Sequence, residues 1–327
     1  MSAISVALIV ALATVLMAEF VNGWTDAPNV IATVISTGVM SPRAAIVMAV
    51  IMNMAGAMSG TAVASTVGTG IVDPHALTLH SITAAMLSIV AWGTFAARAG
   101  LPISKSHALL AGLAGAAFAG GGWDALEWHG WSKVIVGLAL SLLLGGFVSV
   151  LMGTIIIRLT RNAKPLPTKR GFERASIVAA CFLSFNHGLN DGQKFMGVFA
   201  TTLLAGGAIP KFTIPFWAIL VCALTMAAGT SAGGWRIIRT IGWRMTRLQV
   251  WQGFAAQLAA GLTIFGASQY GVPLSTTHTI TSAIAGAAAS RRFSDIRWIV
   301  LRRIVIGWVI TFPVCFAAAY LAARVAR

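Results

Sequence analysis

Two short polar motifs each occur twice in this chain, in the same order, inside long apolar stretches. Asn22-Gly23-Trp24-Thr25-Asp26 returns as His187-Gly188-Leu189-Asn190-Asp191, 165 positions later (191 − 26). Pro102-Ile103-Ser104-Lys105-Ser106-His107 returns as Pro273-Leu274-Ser275-Thr276-Thr277-His278, 171 positions later (278 − 107). Two motifs repeated at nearly one offset mean a duplicated unit, so the chain folds as two related halves. The medium is set by composition. Only 9% of the 327 residues are charged and 57% are hydrophobic, whereas soluble domains carry roughly 25% charged residues. There are too few charges to clothe a water-facing surface. Apolar runs of about 20 residues recur along the whole length, enough to cross a hydrocarbon core of roughly 30 Å as helices. The alternating segments of a membrane barrel are absent. The expected fold is an all-α polytopic membrane protein.

The net charge of +15 does not indicate nucleic acid, because the basic residues gather in short loops between apolar spans, where charge sets membrane orientation. Cys181, Cys222 and Cys315 lie far apart in apolar stretches and read as small buried hydrophobes. The first twenty residues lack a basic leader and a clear cleavage site, and read as a retained span.

The first half comprises apolar residues 3–41 with a polar interruption at 22–29, then 43–68, 78–98, 101–121 and 133–157. Residues 158–174 read as a basic linker in which Pro165 and Pro167 argue against a helix. The second half runs 175–209 with an interruption at 186–194, then 213–234, 248–269, 273–290 and 300–323. The domain division is therefore 1–157, 158–174 and 175–327. Corresponding loops carry opposite charge bias. The loop at 69–80 has no Lys or Arg, and its counterpart at 235–247 has Arg236, Arg239, Arg244 and Arg247. The loop at 120–132 has Asp124, Glu127 and no Lys or Arg, against five arginines and a single Asp295 at 290–303. Positive charge favours the cytoplasm, so the halves are expected to be inverted, with the linker cytoplasmic. Five crossings per half follow, and about 10–12 membrane segments if re-entrant pieces are counted.

Asp26 and Asp191 read as the two acids placed mid-span, the others lying in loops or at span ends. An ionised carboxylate near the bilayer centre is expensive and normally faces a polar cavity. Asn22, Gly23 and Pro28 flank the first; Gly188, Asn190 and Gly192 flank the second. These contexts predict broken helices, whose freed backbone groups line a cavity. The Pro-Ser-His motifs predict helix starts at Pro102 and Pro273, with serine caps and free N–H groups that suit an oxyanion. Paired interruptions in two halves of a membrane protein point to a transport site. Lys105 corresponds to Thr276, Thr25 to Asn190, and Lys194 to Asn29. Each lysine either attracts an anion and neutralises an aspartate or extends to the interface. His107 and His278 either carry protons or are structural. No Cys/His cluster has zinc spacing, so no structural metal site is expected.

These motifs resemble the inorganic phosphate transporter (PiT) family, whose signature is Gly-Ala-Asn-Asp-x-x-Asn in each half. Gly23-Trp24-Thr25-Asp26-Ala27-Pro28-Asn29 departs from it at Trp24 and Thr25. The segment from His187 to Gly197 is very similar to the second-half version in bacterial members, and 273–278 resembles the family's Pro-x-Ser-Thr-Thr-His element. The resemblance implies two inverted-topology repeats with re-entrant hairpins, and symport of inorganic phosphate with H⁺ or Na⁺. It also implies a bacterial inner-membrane location and no cofactor; in some members a divalent metal is carried with the phosphate. Ser104, Ser106, Ser275, Thr276 and Thr277, with Asp26 and Asp191, would bind phosphate. Asp26, Asn29, Asn190 and Asp191 would bind the coupling ion. Thr25, Lys105, His107, Lys194 and His278 would be accessory. Thr25 removes an amide carbonyl, which shifts the expectation toward proton coupling. The expected partners are phosphate and lipid, with a homodimer allowed and no nucleic acid. A sulfate permease of this fold and an anion channel are the alternatives; an intramembrane aspartyl enzyme would leave the Pro-Ser-His pairs without a role.

Overall fold

The computed structural model describes residues 5–326, so residues 3 and 4 of the opening stretch and Arg327 lie outside it. The described chain is helical almost throughout. In the first half, α1 spans Val6–Ser36, α2 Pro42–Ala57, α3 Ala62–Thr69, α4 Leu79–Ala99, α5 Lys105–Gly121 and α6 Trp128–Thr160. In the second, α7 spans Pro165–His187, α8 Gln193–Ala205, α9 Phe216–Ala232, α10 Trp235–Arg239, α11 Val250–Gln269, α12 Thr276–Ala289 and α13 Trp298–Val325. The order matches half for half: α1 with α7–α8, α2–α3 with α9–α10, then α4 with α11, α5 with α12 and α6 with α13.

The halves interlock. Helix α5 packs on α13, and α12 packs on α6; α1 crosses α9 as α7 crosses α2. These crossings are close because glycine occupies corresponding positions. A Cβ on Gly23 would strike the Met226 carbonyl, and one on Gly188 would strike the carbonyl of Asn53. Small residues at such crossings let helix backbones touch where no hydrophobic effect drives association.

Four helices (α1, α4, α6 and α13) are long and apolar enough to cross a membrane, or six spans if each bent pair counts as one. The bent pairs are α2–α3, at 70°, and α9 with the Trp235–Arg244 segment, at 60°. The other helices are shorter or more polar because they are enclosed by protein and carry the site. The outer faces of α6 and α13 are apolar and exposed, with Leu143, Phe147, Val309 and Ile310 among the uncovered side chains. This is the surface of a protein solvated by hydrocarbon.

Three local expectations are corrected. Helix α1 runs unbroken through 22–29 with Pro28 inside it. Proline's missing N–H removes one ladder bond, to the Trp24 carbonyl, without ending the helix. At Asp191 the chain does not break either: Gly188–Gly192 form one π-helical turn between α7 and α8. Finally, Pro165 and Pro167 stand in the first turn of α7 rather than excluding a helix, because that turn needs no N–H from them. Most of 158–174 is therefore helical, and only a short turn separates α6 from α7.

Candidate functional site

The first turns of α5 and α12 meet at the centre of the molecule. Neither helix starts at its proline. Ser104 and Ser275 are the N-caps, accepting the amides of His107 (3.2 Å) and His278 (3.3 Å). Pro102 and Pro273 instead lie in the extended lead-in, where proline disfavours helix for the residue before it. The two cap hydroxyls bond each other at 2.9 Å. Ser106 Oγ donates to the Leu274 carbonyl (2.9 Å), and its counterpart Thr277 Oγ1 donates to the Ile103 carbonyl (3.3 Å). The His107 and His278 rings sit edge to face with centroids 4.6 Å apart. Corresponding residues touching one another, and reciprocal bonds between corresponding pairs, locate a pseudo-two-fold axis between these helix ends.

Both aspartates reach this axis and both are 2% exposed. Oxygens of Asp26 and Asp191 and a ring nitrogen of His187 all lie within 4.8 Å of one another. The environments of the two acids differ. Asp191 forms an ion pair with Lys194, accepts from Thr276 Oγ1 at 2.6 Å, and has His187 Nε2 at 3.3 Å. The Lys194 ammonium also donates to Ser106 Oγ (2.6 Å) and to the Leu274 carbonyl. Asp26 has only the Thr25 hydroxyl, at 3.5 Å, and no ion pair within 4.0 Å among the described residues. Lys105, also buried, supplies the strongest opposing charge.

Position 29 shows the asymmetry most clearly. Asn29 Nδ2 donates to Thr277 Oγ1 at 3.0 Å, as Lys194 donates to Ser106 in the other half. Its carbonyl oxygen is buried without a partner. The amide nitrogen of Asn190, the counterpart of Thr25, donates to Ser268 Oγ (2.8 Å) and to the Val272 carbonyl, and its side-chain oxygen is likewise buried without a partner. The structure thus brings Asp26, Asn29, Ser104, Ser106, Asp191, Lys194, Ser275, Thr276 and Thr277 into one cluster, with Lys105 and Thr25 beside it. His107 and His278 form a second layer behind the caps. His107 Nδ1 lies 3.3 Å from the Trp308 carbonyl, and the His278 ring packs against the Trp308 ring at a tilt of 41°. Both lysines are enclosed rather than reaching for an interface.

Two residues escaped the sequence reading. His187 is held by Asn53 Oδ1 on α2 at 3.1 Å and so presents its other nitrogen to Asp191. Its signal was its place four residues before Asp191, one helical turn. Glu19, read as lying at a span end, is fully buried mid-helix. Its signal was the spacing of seven to Asp26, which puts both on one face of α1.

The phosphate transporter family model matches the chain twice, over residues 22–170 and 160–319, once for each half. The chain belongs to this family. Its relatives include the probable low-affinity inorganic phosphate transporter of Rhizobium meliloti, 39% identical over 95% of this chain and 96% of the relative. The protein of the same description in Bacillus subtilis is 37% identical over 90% of each. A solved structure of a sodium-dependent phosphate transporter superimposes with a TM-score of 0.88 over 98% of this chain and 99% of that one. At 22% identity it shares the fold. The fold is therefore the family's helical membrane architecture of two inverted repeats, and the family is one of transporters, not enzymes.

Proposed function

We propose that this protein is a symporter that moves inorganic phosphate across the bacterial inner membrane, driven by a H⁺ or Na⁺ gradient. The observation that carries the reading is the meeting of two capped helix N-termini and two buried aspartates at one pseudo-two-fold axis. Helix N-termini offer free N–H groups and partial positive charge to an anion. The hydroxyls of Ser104, Ser106, Ser275, Thr276 and Thr277 add donors arranged around a point, as a tetrahedral oxyanion needs. Lys194 adds a full positive charge that Asp191 and Ser106 now hold. The coupling ion is expected beside Asp26, where the free carbonyl oxygen of Asn29 adjoins a carboxylate without an ion-pair partner. Asp191 already has its cation in Lys194. Transport would rock one bundle against the other around this point, with the basic turn between α6 and α7 on the cytoplasmic side. Uptake of labelled phosphate by reconstituted protein is the test, with unlabelled phosphate and sulfate as competitors. Phosphate is expected to compete at far lower concentration; sulfate competing better would make this a sulfate permease.

One observation favours a second form of the same cargo. Asp26, His187 and Asp191 supply two carboxylates and an imidazole, ligand types that suit a divalent cation, and the hydrogen bond that the ring donates to Asn53 Oδ1 orients it as metal-binding histidines are oriented. Phosphate carried as a metal complex would place its metal here. Uptake that falls on chelation and returns with a divalent cation supports this form; uptake indifferent to chelator rules it out.

A further inference from the structure

The buried charged side chains among the described residues are five: Glu19, Asp26, Lys105, Asp191 and Lys194. Three carboxyls thus face two ammoniums. Lys194 is paired with Asp191, and the charge of Lys105 acts chiefly on Asp26. Glu19 is left without a cation. Its single hydrogen bond among the described residues is from Asn22 Nδ2, which donates to Oε2 at 3.4 Å. Glu19 Oε1 and Asn22 Oδ1 are both buried without partners. An ionised carboxylate enclosed in this way costs several kcal/mol unless a cation or proton accompanies it. Two orphaned oxygens are too few for a sodium ion, which needs a shell of ligands, whereas a proton needs one. The feature is not part of the duplicated frame. The counterpart of Glu19 is Ser184 (184 − 165), whose hydroxyl rests on the Met48 sulfur.

We propose that Glu19 is a proton-binding site electrostatically coupled to the phosphate pocket, so that proton and phosphate each strengthen the binding of the other. Glu19 and Asp26 are seven residues apart on one face of α1, about 10 Å along the axis. At that separation in protein medium, each unit of anionic charge in the pocket changes the proton's binding roughly tenfold. Linkage makes the effect reciprocal. The charged and titratable groups facing Glu19 are Asp26 on its own helix, Asp191 on the π turn, Lys194 on α8 and Cys222 on α9. From α4, which packs on the same stretch of α1, Gly93 faces Val21 and the Lys105 side chain; its own His80 and Arg98 sit near its two ends.

This inference rests on the phosphate reading above, and one experiment separates the two. Phosphate binding to the purified full-length protein is measured by calorimetry across pH, in buffers of different ionisation enthalpy, to count protons taken up per phosphate. Glu19→Gln mimics the protonated form and preserves its shape. The expected result is that E19Q takes up fewer protons than wild type, by up to one per phosphate, and loses about tenfold of the pH dependence of its affinity. Glu19→Asp, which keeps the acid, restores both. Wild type and E19Q with the same proton count and pH profile overturn the assignment while leaving the phosphate reading intact. A wild type that binds no phosphate overturns both.

Discussion

At the scale of single residues, the centre of this protein is governed by the cost of enclosing charge. Lys194 and Asp191 are 2% exposed and paired. Lys194→Met keeps most of the volume but strands the carboxylate, which for buried pairs costs roughly 3–5 kcal/mol. The expected result is a lower melting temperature in detergent together with loss of phosphate uptake. The double change Asp191→Asn with Lys194→Met is expected to recover much of the stability and none of the transport. A single variant as stable as wild type would mean that solvent reaches the pair. Much of this was legible in the sequence: an intramembrane aspartate demands a partner, and Lys194 follows at a helical spacing of three. Glu19 was not, because a carboxyl just before the polar interruption at 22–29 looks like a residue at a span end until α1 is seen to run unbroken through it. His187 was hidden for a different reason. A histidine beside a duplicated motif reads as part of the motif, and only the contact with Asn53 of α2 shows that its ring is aimed.

At the scale of elements, the helix starts were legible and the helix interiors were not. Ser-x-x-His with proline upstream carries its own capping chemistry, so α5 and α12 begin within three residues of the expected positions. The Asp26 and Asp191 segments look broken because Gly, Asn and Pro weaken helices in isolation. Here tertiary packing overrides propensity. The glycines serve the close crossings, α1 over α9 and α7 over α2, and the chain accommodates them with a proline-bearing helix on one side and a π turn on the other. Gly188→Ala tests this assignment, since its Cβ would meet the Asn53 backbone. Overpacking of this kind costs about 1–3 kcal/mol. G188A is expected to give less folded protein and a lowered melting temperature, and to disturb the ring of His187 next to it. Gly171, with open space around it, serves as the control, and G171A is expected to behave as wild type. Equal behaviour of the two variants would remove the crossing from the account.

At the scale of the whole molecule, duplication is what makes a central site out of two peripheral-looking motifs. Neither half could enclose an anion alone, because each supplies one capped helix end and one acid. Interlocking α5 with α13 and α12 with α6 brings the four together and leaves an apolar exterior. The repeat and its inversion could be read from motif order and loop charge; the interlock could not, because it depends on which faces of the helices meet. The account also gives the asymmetry a meaning: one half holds its own ammonium at Asp191, and the other leaves Asp26 for a mobile ion. The measurement that bears most directly on the central claim is uptake of labelled phosphate into sealed proteoliposomes under an imposed proton gradient, an imposed sodium gradient, or none. Accumulation of phosphate above its external concentration is expected under one of the two gradients, collapsing when that gradient is dissipated and absent in Asp26→Asn. Flux that only runs down the phosphate gradient, whatever cation gradient is imposed, would contradict it.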